Sequence, residues 1–88
     1  MLRTPLLVAN PAGMTINAKV DGELRVRVLD EAGKPVAGLD WSDCEPIRGD
    51  SVHHIVRWKG DAAALSGKPL RLEFSLNSGR LYGFNLTR

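Results

Sequence analysis

Met14-Thr15-Ile16-Asn17-Ala18-Lys19-Val20-Asp21-Gly22-Glu23-Leu24-Arg25-Val26-Arg27-Val28-Leu29-Asp30 is the stretch that decides the fold class. Successive side chains of a strand point to opposite faces, so Met14, Ile16, Ala18 and Val20 share one face and Thr15, Asn17 and Lys19 the other. Beyond Asp21-Gly22 the alternation resumes, with Leu24, Val26 and Val28 inward and Glu23, Arg25 and Arg27 outward. Asp-Gly between two alternating runs predicts a β-hairpin, because glycine accepts the positive φ of a type I′ turn. Half-buried antiparallel strands are the expectation, with no helical period.

Working outward, Leu6-Leu7-Val8 reads as a short first strand ending in the turn residues Asn10-Pro11-Ala12-Gly13. Asp30-Glu31-Ala32-Gly33-Lys34-Pro35 reads as a turn with Gly33 in the left-handed position, and Val36 and Leu39 as a short irregular strand. From Asp43 to Ser51 the chain is expected to be a loop, since Pro46 and Gly49 disfavour regular ladder pairing. Alternation then places Val52, His54, Val56 and Trp58 on the core side and His53, Ile55, Arg57 and Lys59 opposite. Gly60 to Gly67 has room for one or two helical turns capping a sheet. Leu70, Leu72, Phe74 and Leu76 mark another strand, Asn77-Ser78-Gly79 a turn, and Arg80 to Leu86 a last strand with Tyr82, Phe84 and Leu86 on one side. The predicted fold is all-β: a small two-sheet antiparallel β-sandwich, jelly-roll or immunoglobulin-like, of about six to eight short strands.

Residues 1–88 make one domain with one core, and the domain is expected to be a fragment or C-terminal module of a longer protein. The apolar fraction of 43% and charged fraction of 25% are those of an ordinary globular chain. A net charge of +2, with the basic residues scattered singly, gives no footprint for nucleic acid. Met1 to Ala9 is too short in its apolar run for a signal peptide, and no stretch suits a membrane span. Cys44 stands alone, so no internal disulfide is expected. Either the chain is cytoplasmic or it is cut from a longer secreted protein.

The loop from Asp43 to Ser51 gathers cysteine, carboxylates and arginine, with His53 and His54 close by. Adjacent strand residues face opposite ways, so the two histidines cannot share an ion without a bulge, and zinc-type ligand spacing is missing. No metal, cofactor or catalytic residue is therefore assigned. Cys44 is read as a small buried hydrophobe, and Asp43 and Asp50 as turn or capping residues rather than calcium ligands. Arg48-Gly49-Asp50 spells the tripeptide read by integrins, which requires a protruding loop. The preferred reading is that Pro46 and Gly49 set the path of a structural crossover while Arg48 and Asp50 tie it down. Of the five aromatic residues, Trp58, Phe74 and Phe84 fall on core faces, leaving Trp41 and Tyr82 as candidates for carbohydrate or interface contact.

Several segments, in order, carry a resemblance: Leu24 to Pro35, Asp43 to Ser51, Val56-Arg57-Trp58-Lys59-Gly60, Gly67 to Phe74, and Leu81-Tyr82-Gly83-Phe84. Together they resemble the C-terminal β-sandwich module of bacterial sialidase-like and fructosidase-like glycosidases built on β-propellers, and Met14 to Val20 resembles the strand that opens it. The resemblance implies a non-catalytic accessory domain that packs on the catalytic domain of the same polypeptide, possible carbohydrate contact, and a secreted or periplasmic location. It also implies that the catalytic carboxylates lie in the propeller, and it leaves the outward Arg25, Arg27 and Ile55 as candidates for a domain interface. Leu29 to Gly38 is similar to the turn of carboxypeptidase-regulatory-like and other immunoglobulin-type extracellular modules. That likeness implies the alternative of a structural or adhesive module with no sugar-related role.

Overall fold

The computed structural model describes residues 2–8 and 10–87. Among these the strands are β1 (Leu2–Arg3), β2 (Leu7–Val8), β3 (Asn10–Leu29), β4 (Ile47–Ile55) and β5 (Pro69–Thr87), with 3-10 turns at Trp41–Asp43 and Ala62–Leu65. Every pairing is antiparallel, in the order β1-β5-β3-β4, and β2 pairs with the start of β5. The protein is all-β, with two long strands and three shorter ones in place of many short ones.

Neither of the two strongest turn signals makes a hairpin. β3 runs through Asp21-Gly22, and β5 runs through Asn77-Ser78-Gly79. The two signals face each other, since Val20 pairs with Gly79 and Glu23 with Asn77. β3 carries one more residue than β5 between those pairs, so a bulge bends both strands together. A Cβ on Gly22 would lie 2.1 Å from the Asn77 carbonyl oxygen, and one on Gly79 would lie 2.3 Å from that of Lys19. These glycines are needed for close backbone approach at a corner, and Gly79 also takes a φ of 147°. A straight strand of β3's length would span about 66 Å at roughly 3.3 Å per residue. The molecule's longest extent is 32 Å, so the β3–β5 ribbon turns back on itself.

Folding the ribbon encloses the core. Met14, Ile16 and Ala18 from the first half of β3 meet Leu24, Val26 and Val28 from the second half, with Leu70, Leu72 and Phe74 of β5, in one buried cluster. A second bulge changes the facing of β5. Asn17 pairs with Gly83 but Ala18 pairs with Leu81, so Leu81 packs on the core and Tyr82 is 61% exposed. Tyr82 therefore does not share the inward face of Phe84 and Leu86. Asn10 to Gly13, expected as a turn, lies within β3, where Asn10 Oδ1 accepts from the Ala12 N–H and the register against β5 slips.

The stretch from Asp43 to Ser51 is not one loop. The first 3-10 turn ends at Asp43, Cys44 bridges to Trp58, and β4 begins at Ile47. Pro46 stands just ahead of the strand, where its missing N–H costs no ladder bond. Gly49, at φ 97°, pairs with Val20, and Asp50 pairs with Lys19. The remaining edge of β3 is closed by other means. Val28 N–H donates to the Leu39 carbonyl and its own carbonyl accepts from Val36 N–H. At Val26 the N–H donates to Cys44 Sγ at 3.4 Å, and the carbonyl accepts from Trp58 Nε1 at 2.8 Å. The turns at Asp30 to Pro35 and Ala62 to Leu65 are as expected, with Gly33 at φ 84° and Asp61 capping through Ala63 N–H.

Candidate functional site

The outward faces of the two ribbon halves differ in kind. On the β1-β5-β3 half, Arg3 and Arg27 flank Glu73 across the strands. Arg27 holds Glu73 Oε1 at 2.5 Å, and Arg3 holds Oε2 at 2.9 Å. Burial pushes the Glu73 carboxyl up, but the hydrogen bonds from Arg27 and then Arg3 outweigh it and hold it below the usual glutamate range. Arg27 also reaches Asp40 at 3.4 Å and sits 4.7 Å from the Trp41 ring centroid. Asp40 and Asp43 cap the 3-10 turn reciprocally, which fixes Trp41 over the sheet. Arg25 donates to the Trp41 carbonyl and pairs with Glu23. Arg25 and Arg27, candidates for a domain interface from the sequence, are both engaged within the domain, and one face of the Trp41 ring is occupied by a guanidinium.

The stretch from Asp43 to Ser51 borders a shallow hollow of about 370 Å³ between Arg25, Cys44, Pro46, Arg57 and Trp58. Cys44 is buried, and burial raises its thiol pKa. Its Sγ is committed to Val26 N–H and the Glu45 carbonyl, so it is a packing and edge-capping group rather than a nucleophile. Arg48 lies 3.5 Å from Glu23, a loose and exposed pair. The Asp50 side chain has no polar partner among the described residues, so the expectation that it ties down a loop is not met. Arg48-Gly49-Asp50 lies in the β4 ladder instead of a protruding loop. A bulge does separate His53 from His54, but His54 Nε2 is bonded to the Ala18 carbonyl at 2.9 Å. Among the described residues no group of three or more His, Cys, Asp or Glu side chains is placed to hold a metal ion. No described helix is long and apolar enough to cross a membrane.

The β4-β3-β5 half has an open outward face. The register lines up Ile55, Thr15 and Asn85 in one row, Asn17 and Gly83 in the next, and Asp50, Lys19 and Arg80 in a third. Bulges flank Asn17 on both neighbouring strands, leaving Val52 75% exposed on β4 and Tyr82 exposed on β5. Nothing lies within 4 Å of where a Gly83 Cβ would sit, so the ground beside Tyr82 is clear. Tyr82, Lys19, Asp21, Gly79 and Arg80 line a hollow of about 440 Å³ at the corner of the ribbon. Reading the sequence singled out Tyr82 but missed Lys19, Asp21 and Arg80. Their nearness depends on the long-range β3–β5 register, which no local pattern encodes.

Comparison with known proteins gives no matching family model, no matching curated protein and no matching solved structure. The likeness to glycosidase accessory modules therefore stands as a proposal.

Proposed function

We propose that this chain is a non-catalytic accessory β-module of a carbohydrate-active, glycoside hydrolase-type enzyme, packing on the catalytic domain of the same polypeptide and contacting carbohydrate through its open face. The observation that carries the reading is Tyr82, 61% exposed at a β-bulge beside the bare backbone of Gly83 and close to Asn17. An aromatic face stacks on the C–H faces of a sugar ring, and amide and hydroxyl groups around it supply hydrogen bonds. Trp41 is the weaker of the two aromatic candidates because Arg27 already stacks on it. Exposed Leu2, Leu6 and Val8 supply apolar surface for packing on a neighbouring domain. The folded-back ribbon supports a two-layer sandwich in which the long strands pass from one layer to the other at Gly22 and Ser78. A secreted or periplasmic setting goes with this reading.

A glycan array followed by calorimetry on the whole chain tests it. A saccharide ligand lost in a folded Tyr82→Ala variant, from a coding sequence that also encodes a glycoside hydrolase domain, is the expected result. No saccharide binding, together with a coding sequence of tandem sandwiches, would replace the proposal with the structural or adhesive module.

A further inference from the structure

Lys19 and Arg80 are directly opposite each other in the β3–β5 ladder. Like charges facing across a strand pair repel, and proteins usually separate them or place a carboxylate between. Here neither side chain has an ion-pair partner within 4 Å among the described residues, although Asp21 lines the same hollow and Asp50 is Lys19's neighbour on β4. Contrast Arg3 on β1 and Arg27 on β3, which lie on either side of β5 and share the buried Glu73 between them. The Arg3–Arg27 pair is neutralised within the domain, whereas Lys19 and Arg80 face solvent with no carboxylate paired to either among the described residues.

The position of the unneutralised pair narrows the class of anion that fits it. Lys19 and Arg80 border the 440 Å³ hollow whose other wall is the exposed Tyr82, a size within the roughly 300–1,000 Å³ range of small-molecule sites. Gly79 forms part of its lining, and its backbone lies so close to Lys19 that no side chain fits there. A ligand that uses the whole hollow has an apolar ring face for Tyr82, a negative group for the two cations, and hydroxyl donors for the Asp21 carboxylate. We infer that the corner hollow binds a pyranose bearing an anionic substituent, a carboxylate or a sulfate. The ring stacks on Tyr82, Arg80 and Lys19 hold the anion by charge-assisted hydrogen bonds, and Asp21 accepts from a ring hydroxyl. This inference rests on the carbohydrate reading and narrows it to acidic saccharides.

Titration calorimetry of the whole chain with three probes tests it: an oligogalacturonate, a sulfated oligosaccharide and a neutral gluco-oligosaccharide. At least one anionic probe should bind about tenfold or more tightly than the neutral one, and its affinity should fall as salt is raised. Arg80→Gln and Lys19→Gln should each weaken that probe about tenfold, Arg80→Lys should retain most of the binding, and Tyr82→Ala should weaken it at least as much as either. Binding of the uronate alone assigns the anion as a carboxylate, and binding of the sulfated probe alone assigns it as a sulfate. If the neutral probe binds as well as the anionic ones, depends on Tyr82 and ignores Arg80→Gln, the acidic-sugar inference falls while the accessory reading stands. If no probe binds, the acidic-sugar inference falls, and the glycan array decides separately on the carbohydrate contact proposed for the module. Far-ultraviolet circular dichroism of each variant confirms that losses are not losses of fold.

Discussion

Single residues set the two constraints from which the rest of the molecule follows. Gly22 is the first. Its backbone packs so tightly on Asn77 that Gly22→Ala should destabilise the protein by about 2 kcal/mol or more, as overpacking against fixed backbone does. Gly22→Asn separates the alternatives, because a type I′ hairpin tolerates asparagine and this corner does not. Urea denaturation reads both, and a stability within error of the parent would contradict the corner. Glu73 is the second. Removing one member of a buried ion pair strands the other, so Arg27→Ala should cost about 3 kcal/mol. Arg3→Ala, whose side chain is 51% exposed, should cost under about 1 kcal/mol. The pH dependence has a definite sign. The folded carboxyl titrates below the ordinary glutamate value of about 4.3. Between that value and the lowered folded one, the unfolded chain binds more protons, so stability falls as the pH drops through this window. The contribution is complete above the window and gone below it. Glu73→Gln should flatten the fall in urea midpoint as the pH drops below the ordinary glutamate value of about 4.3, and an unchanged slope would remove Glu73 as its source.

At the scale of elements, the edge of β3 is closed by side chains as much as by strands. Trp58 was legible as a core-side aromatic, and Cys44 as a small buried group. What neither residue announced is that both cap the same residue, Val26, from the free edge. Trp58→Phe keeps most of the packing but leaves a carbonyl without its donor, an expected loss of about 1–3 kcal/mol by thermal or chemical denaturation. Cys44 should react with a thiol reagent only as fast as the protein opens, so its labelling rate should track unfolding conditions. Strand faces were read correctly wherever the two-residue period ran uninterrupted, as from Met14 to Val20 and from Leu70 to Phe74. The two-residue period fails where a bulge inserts a residue: Tyr82, a contact candidate from the sequence, leaves the side it would share with Phe84 and Leu86, and Val52 is exposed although it alternates with Val56. The turn signals at Asp21-Gly22 and Asn77-Ser78-Gly79 were real, but each permits either a reversal or a bend. Only their meeting across the ladder selects the bend. The candidate hollow was hidden for the same reason, since Tyr82 and Arg80 come from one strand and Lys19 from another far off in sequence.

For the whole molecule, the bent β3–β5 ribbon means that the most regular part of the sequence pairs mainly with a strand far along the chain. No pair in that ladder is closer along the chain than Leu29 and Arg71, and β4 reaches β3 only across the intervening turns. The named strands therefore pair over long sequence separations, and local antiparallel pairing is confined to the short Leu29–Pro35 bridge across the Asp30–Lys34 turn. Refolding followed by stopped-flow fluorescence of Trp41 and Trp58 should take milliseconds to seconds, the regime of non-local β proteins. A microsecond phase carrying most of the amplitude would point to a local hairpin after all. During synthesis, the apolar face of Met14 to Val28 emerges early and must wait for Pro69 to Thr87 to leave the ribosome before a strand can cover it. Until then it is an unpaired, β-prone segment open to other chains, so yield in cells should depend on chaperone capacity more than the folded state's stability would suggest.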